Sequence, residues 1–177
     1  MSFLQCWKIK QIKLYSFISH IKFLTKATNQ HGVHSPFVYN YVTKCLYSKA
    51  HVATNKSADI FLKSIPYFKS EKIKIDPNCR LYTNHIKKNF SGIETNATVY
   101  DAFYLEDIKN WKTNILKEET KNSSWVFIDH IYKNKESTLH WNKLKKLKEV
   151  RVSIDLFYCG IIFFRKEQEK EHFKIRY

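Results

Sequence analysis

Two apolar runs in the second half of the chain end in polar, titratable pairs. Tyr100–Leu105 runs into Glu106 and Asp107, and Trp125–Ile128 runs into Asp129 and His130. Bulky apolar runs of this length suit strands buried on both faces of a parallel sheet. Ligands of such sheets bind outside the carboxyl ends of the strands, which puts Glu106, Asp107, Asp129 and His130 on the rim where chemistry would occur. An aspartate beside a histidine can move a proton or hold a metal, so Asp129 and His130 are the candidate catalytic residues. Adjacent residues at a strand end tend to point apart. That favours a plainer assignment, a capping aspartate next to an exposed histidine.

Other chemistry-bearing residues offer less. His31 and His34 in HGVHSPF stand three apart, but Gly32 and Pro36 break the helix that would align them, and no third ligand is evident. No metal site is expected. The four cysteines, Cys6, Cys45, Cys79 and Cys159, form no C-x-x-C pair and sit beside apolar or aromatic residues, so buried thiols are expected. The three glycines, Gly32, Gly92 and Gly160, are far apart. A nucleotide site usually needs a G-x-G turn so that bare backbone can approach the ligand at a helix N-terminus. None is present.

The elements that would hold the rim follow from periodicity. Apolar positions three and four apart from Phe3 to Lys26 predict one amphipathic helix or a broken pair. After Asn29–Gly32, Ser35 as N-cap and Pro36 in the first turn open a helix with Phe37, Val38, Tyr41, Val42, Cys45 and Leu46 on its core stripe. Ala58–Phe68 reads as a helix interrupted at Pro66, Lys72–Asp76 as a short strand, and Leu81–Phe90 as a helix closed by Ser91-Gly92. Between the two buried strands Ile108–Lys121 reads as a crossover helix, and Lys135–Lys148 as a second. Arg151–Phe157, a turn near Tyr158–Gly160 and Ile161–Arg165 read as an antiparallel hairpin, with Phe173–Tyr177 as an edge strand. Strand, helix, strand, helix and a terminal hairpin is an α/β order. The domain organisation expected is an N-terminal helical region over 1–57 and a shortened α/β domain over 58–177.

Composition bounds the partners. The net charge of +15 could serve a nucleic acid or an anionic membrane. The lysines are spread out, however, and the densest run, LKKLK before Glu149, reads as a solvated helix face. Nucleic-acid binding is therefore not favoured. No membrane partner is expected either: the longest apolar run, Cys159–Phe164, is too short to span a bilayer, and lysines interrupt the N-terminal segment. A cytoplasmic protein is the default.

Three stretches carry a family resemblance: ATNQHGVHSPFVYNYVTKCLY over Ala27–Tyr47, YDAFYLED over Tyr100–Asp107, and the run from Trp125 to Tyr177 containing WVFIDHIYKNKESTLHW and VSIDLFYCGIIFFRKEQEKEHFKIRY. Together, over roughly half the chain, they resemble small class I S-adenosylmethionine-dependent methyltransferase-like proteins common in Bacteroidetes. The resemblance implies a truncated Rossmann-like methyltransferase sheet ending in an antiparallel hairpin, preceded by helices, with S-adenosylmethionine as cofactor. It makes Asp76 and Asp107 the candidate cofactor-binding residues, and Asp129 the match to the first of two acids ending the fifth strand, with His130 replacing the second. Where the family has a glycine-rich turn, this chain has Pro77, Asn78, Cys79 and Arg80, so Asp76 is read first as a turn-forming Asp-Pro. Two further strand–helix units of the family do not fit between Asp76 and Tyr100. The expectation is a degenerate, catalytically inactive methyltransferase-like protein that binds little or no cofactor. An active enzyme with an atypical cofactor loop and a basic nucleic-acid-binding module are the alternatives. Unpaired strand edges left by the missing units would favour self-association.

Overall fold

The computed structural model describes residues 3–76, 79, 86, 89–90, 92–111 and 119–177. Helix α1 (Phe3–Leu24) is a single helix rather than a broken pair. Helix α2 (Pro36–Tyr41) starts at Pro36, whose missing N–H costs nothing in a first turn. Ser35 does not cap it through its side chain; the hydroxyl turns instead to Gln168 Oε1 at 3.4 Å. Over Val42–Leu46 the helix widens into a π turn, so the expected continuous helix changes its hydrogen-bond pitch midway. Val38, Tyr41, Val42, Cys45 and Leu46 are nevertheless all buried. Helix α3 (Lys56–Tyr67) opens on Asn55, whose side chain accepts from Ala58 N at 3.1 Å, and it runs through Pro66 in its last turn.

The sheet has six strands: β1 (Ile73–Ile75), β2 (Tyr100–Leu105), β3 (Thr120–Asp129), β4 (Val152–Asp155), β5 (Cys159–Phe163) and β6 (Glu171–Lys174). Their spatial order is β1-β2-β3-β5-β4-β6. β1, β2 and β3 are parallel, β5 runs antiparallel between β3 and β4, and β6 lies parallel to β4. The expected terminal hairpin is therefore present as β4–β5, and the edge strand is present two residues earlier than expected. Thr28 bridges Ile175 beyond β6, tying the N-terminal segment to that edge.

Alternate residues of the central strands enter opposite cores. Tyr104, Trp125, Phe127, Ile161 and Phe163 pack with α2 and α3, while Phe103, Val126, Ile128 and Ile162 pack with Trp141 and Leu144 of helix α4 (Lys135–Leu144). Covering both faces is why these strands read as unbroken apolar runs. Gly160 lets α4 approach: a Cβ there would lie 2.6 Å from Trp141 Cη2.

Two sequence expectations need correction here. The crossover after β2 opens with a short 3₁₀ turn at Ile108–Asn110, and Thr120 and Lys121 belong to β3, so the helix expected over Ile108–Lys121 is wrong at both ends; its residues 112–118 lie outside the described residues. LKKLK is not a helix face, because α4 ends at Leu144 and the chain turns. Leu144 and Leu147 still enter the same core, and Lys170 Nζ donates to the carbonyls of Lys146 and Leu147 at 2.9 and 2.8 Å, tying the turn after the helix to the segment before β6. The helix expected over Leu81–Phe90 lies largely outside the described residues.

Candidate functional site

A cleft of about 640 Å³ opens at the carboxyl ends of β2 and β3. Glu106 and Asp107 line one side, His130, Tyr132 and Lys133 another, and Phe157 and Tyr158 of the β4–β5 turn a third; Ile12, Lys13 and Ser16 of α1 close it from above. Its apolar wall is a stack of rings. Tyr132 lies over Phe157 with centroids 5.2 Å apart and planes 16° from parallel, and the His20 ring of α1 is tilted against Phe157 at 4.3 Å. His130 and Phe157 both hold the left-handed backbone conformation, with φ of 54° and 68°. For a bulky residue such as Phe157 this region is strained, and the surrounding packing must maintain it.

Asp129 ends β3 beneath this cleft and is 5% exposed. Its Oδ1 accepts from Ser57 Oγ at 2.6 Å and from His130 N at 2.8 Å, and its Oδ2 accepts from Tyr104 OH at 2.8 Å. The carboxylate thus joins the first turn of α3, strand β2 and the backbone after β3. Contrary to the expectation that the pair would diverge, His130 Nδ1 comes within 3.5 Å of Asp129 Oδ1. The positive φ of His130 turns the chain back on itself, and the imidazole stays largely exposed.

The other candidates are occupied by structural work. Asp107 Oδ1 accepts from Lys109 N at 2.9 Å and caps the 3₁₀ turn. Asp76 is 6% exposed, and its carbonyl accepts from Cys79 N at 2.9 Å, as a turn after β1 requires. Glu106 is exposed on the rim. His31 and His34 are both exposed in the joint before α2, where Asn29 Oδ1 accepts from His31 N at 3.1 Å. Among the described residues no three His, Cys, Asp or Glu side chains cluster as metal ligands. Cys45, Cys79 and Cys159 are buried, and burial pushes the Cys45 thiol up to about 11.

Two buried carboxylates escaped sequence reasoning. Asp155, at the end of β4, accepts from Tyr132 OH at 2.7 Å and from Phe157 N at 3.2 Å, so it fixes the aromatic wall from below. Burial raises its pKa against these donors and against Lys174 and Lys145. The same burial, with the adjacent Asp155 charge, pushes the Tyr132 phenol up. Asp59 of α3 accepts from Val52 N at 2.6 Å, Ala53 N at 3.2 Å, His51 Nδ1 at 3.1 Å and Tyr177 OH at 2.8 Å. Burial alone would raise Asp59, but these donors outweigh it and hold the carboxyl at about 2. The only sequence signal for either was a lone acid inside an apolar segment.

Compared with protein-family models, with curated proteins and with solved structures, the chain matches none. Its own geometry carries the functional argument. At the opposite end of the sheet a second cleft of about 640 Å³ carries Lys121, Lys148, Arg151 and Lys166. Lys121 pairs with Asp101, Glu149 lines the same cleft, and Arg151 Nε donates to Gln168 O at 2.9 Å.

Proposed function

We propose that this chain retains part of a class I methyltransferase-like scaffold and no longer transfers methyl groups. The observation that carries the reading is Asp129. The acid at the end of β3, which the resemblance matches to the family's fifth strand, is buried, and its oxygens already hold two hydroxyls and a backbone N–H. An acid committed in this way is poorly placed to accept a proton from a substrate. Asp107 caps a 3₁₀ turn, Asp76 accepts through its carbonyl in the turn after β1, and no G-x-G sequence stands beside either. The reversed strand between β3 and β4 supports the scaffold assignment, since the methyltransferase sheet ends in an antiparallel hairpin. β1 lies directly against β2, and one further strand–crossover–strand unit alone takes about 30 residues, more than Asp76 to Tyr100 provides.

Calorimetric titration of the full chain with S-adenosylmethionine tests the proposal. No saturable heat is expected, and micromolar binding would overturn it. One observation favours a second reading, an active enzyme with an atypical cofactor loop. The rim cleft has the size of a small-ligand site, about 300–1,000 Å³, and combines an aromatic stack with two carboxylates. Under that reading S-adenosylmethionine binds, and Asp107→Ala abolishes binding without unfolding the protein.

A further inference from the structure

Helix α1 is built inside out relative to a core helix. The side that meets the body carries Ile12, Ser16, His20 and Phe23, and only Phe23, at 2% exposure, is deeply buried. The side turned to solvent carries Leu14, Phe17, Ile18 and Ile21, which are 59%, 63%, 42% and 50% exposed. Spacings of three and four align these four residues in one stripe along the helix. Lys13 and Lys22 lie one turn from Phe17 and Ile18 and flank the stripe on opposite sides. Eight lysines and no Asp or Glu precede Asp59.

We propose that the outer face of α1 lies on an anionic phospholipid surface, its apolar stripe at the boundary of headgroups and acyl chains and its lysines against the phosphates. No described helix is long and apolar enough to cross a membrane, and an interfacial helix needs no such length. Charge chooses the occupant. Two copies of α1 meeting stripe to stripe would bring lysines together with no acid on either helix to pair them, whereas an anionic bilayer supplies both an apolar layer and the missing charge. The body leaves the stripe clear, because α1 rests on the rim cleft by its other side. This inference is independent of the methyltransferase reading.

The test is co-sedimentation of the full chain with vesicles of phosphatidylcholine alone, and of phosphatidylcholine mixed with an equal amount of phosphatidylglycerol. Binding to the mixed vesicles only is expected, and it weakens as salt is raised. Phe17→Glu with Ile21→Glu weakens it at least about tenfold. Lys13→Gln and Lys22→Gln weaken it about fivefold each, and these exposed changes leave the fold intact by circular dichroism. The proposal is overturned by equal binding to both vesicles, by no binding to either, or by binding that survives both sets of substitutions. It is also overturned if sedimentation in free solution shows a dimer that Phe17→Glu with Ile21→Glu dissociates, because the stripe would then belong to a second copy.

Discussion

Replacing Asp129 separates a structural carboxylate from a catalytic one. In Asp129→Ala the hydroxyls of Ser57 and Tyr104, on residues 4% and 1% exposed, lose their acceptor, and His130 N loses one of two. A hydrogen bond to a charged group contributes about 1.5–3 kcal/mol, and the three share one site and do not add in full. The expected cost is therefore about 3–5 kcal/mol, near the upper end for a single substitution. In a domain of this size each kcal/mol lowers Tm by about 2–4 °C, so the melt should fall by roughly 6–20 °C. Asp129→Asn keeps one carbonyl oxygen and should lose less, about 1–3 kcal/mol. Thermal melts and urea titrations followed by circular dichroism read both values. A double-mutant cycle with Tyr104→Phe should give a coupling of about 1.5–3 kcal/mol. An Asp129→Ala protein melting within about 2 °C of the parent would refute the reasoning, since the carboxylate would then be no tie between α3, β2 and β3.

Gly160→Ala forces a methyl group against the fully buried indole of Trp141, at 2.6–2.8 Å from three ring atoms, and should cost about 1–3 kcal/mol. Combining it with Trp141→Phe should cost less than the sum of the two single changes; strict additivity would contradict the clash. Asp59, held at about 2 in the folded chain against about 3.9 when unfolded, contributes stability that is complete above the unfolded value and lost as pH falls through the folded one. Asp59→Asn should therefore flatten the acid limb of a stability–pH curve, and an unchanged limb would disprove the assignment. Asp155 has the opposite sign. Its raised pKa means that ionisation costs stability as pH rises past about 3.9, so Asp155→Asn, whose single carbonyl oxygen cannot serve both Tyr132 OH and Phe157 N, should lower the melt yet remove that part of the pH dependence. A stability–pH curve that keeps the same fall above about pH 4 in the variant would contradict the raised value. Cys45, with its thiol raised to about 11, should resist iodoacetamide at pH 8 until the chain unfolds.

Much of the frame was legible in the residues. β2 matches its apolar run from Tyr100 to Leu105 because a strand covered on both faces has no polar side to interrupt it. The β4–β5 hairpin was legible for the same reason, and the stripe of α2 was legible because its period fixes one buried face. Polar Thr120–Ser124 gave no such signal; Thr120 pairs with Tyr100 of β2, the register breaks, and Ser124 Oγ donates to Tyr100 O before pairing resumes at Trp125, contacts that only the neighbouring strand can offer. LKKLK misled because Leu144 and Leu147 reach the same core from a helix or from a turn, and the spacing cannot tell which.

At the site, the order of residues along the chain places acids and a histidine at strand ends, and folding sets what they do. Asp129 became a buried tie only because α3 brings Ser57 onto it and β2 brings Tyr104, partners 72 and 25 residues away in the chain. His130 approaches it through a left-handed backbone angle that no residue type there announces. Asp155 and Asp59 acquired their opposed pKa values from burial and from donors supplied by distant segments. Chemical identity is local in the chain, while the fate of a carboxylate depends on the donors and the water that folding leaves around it.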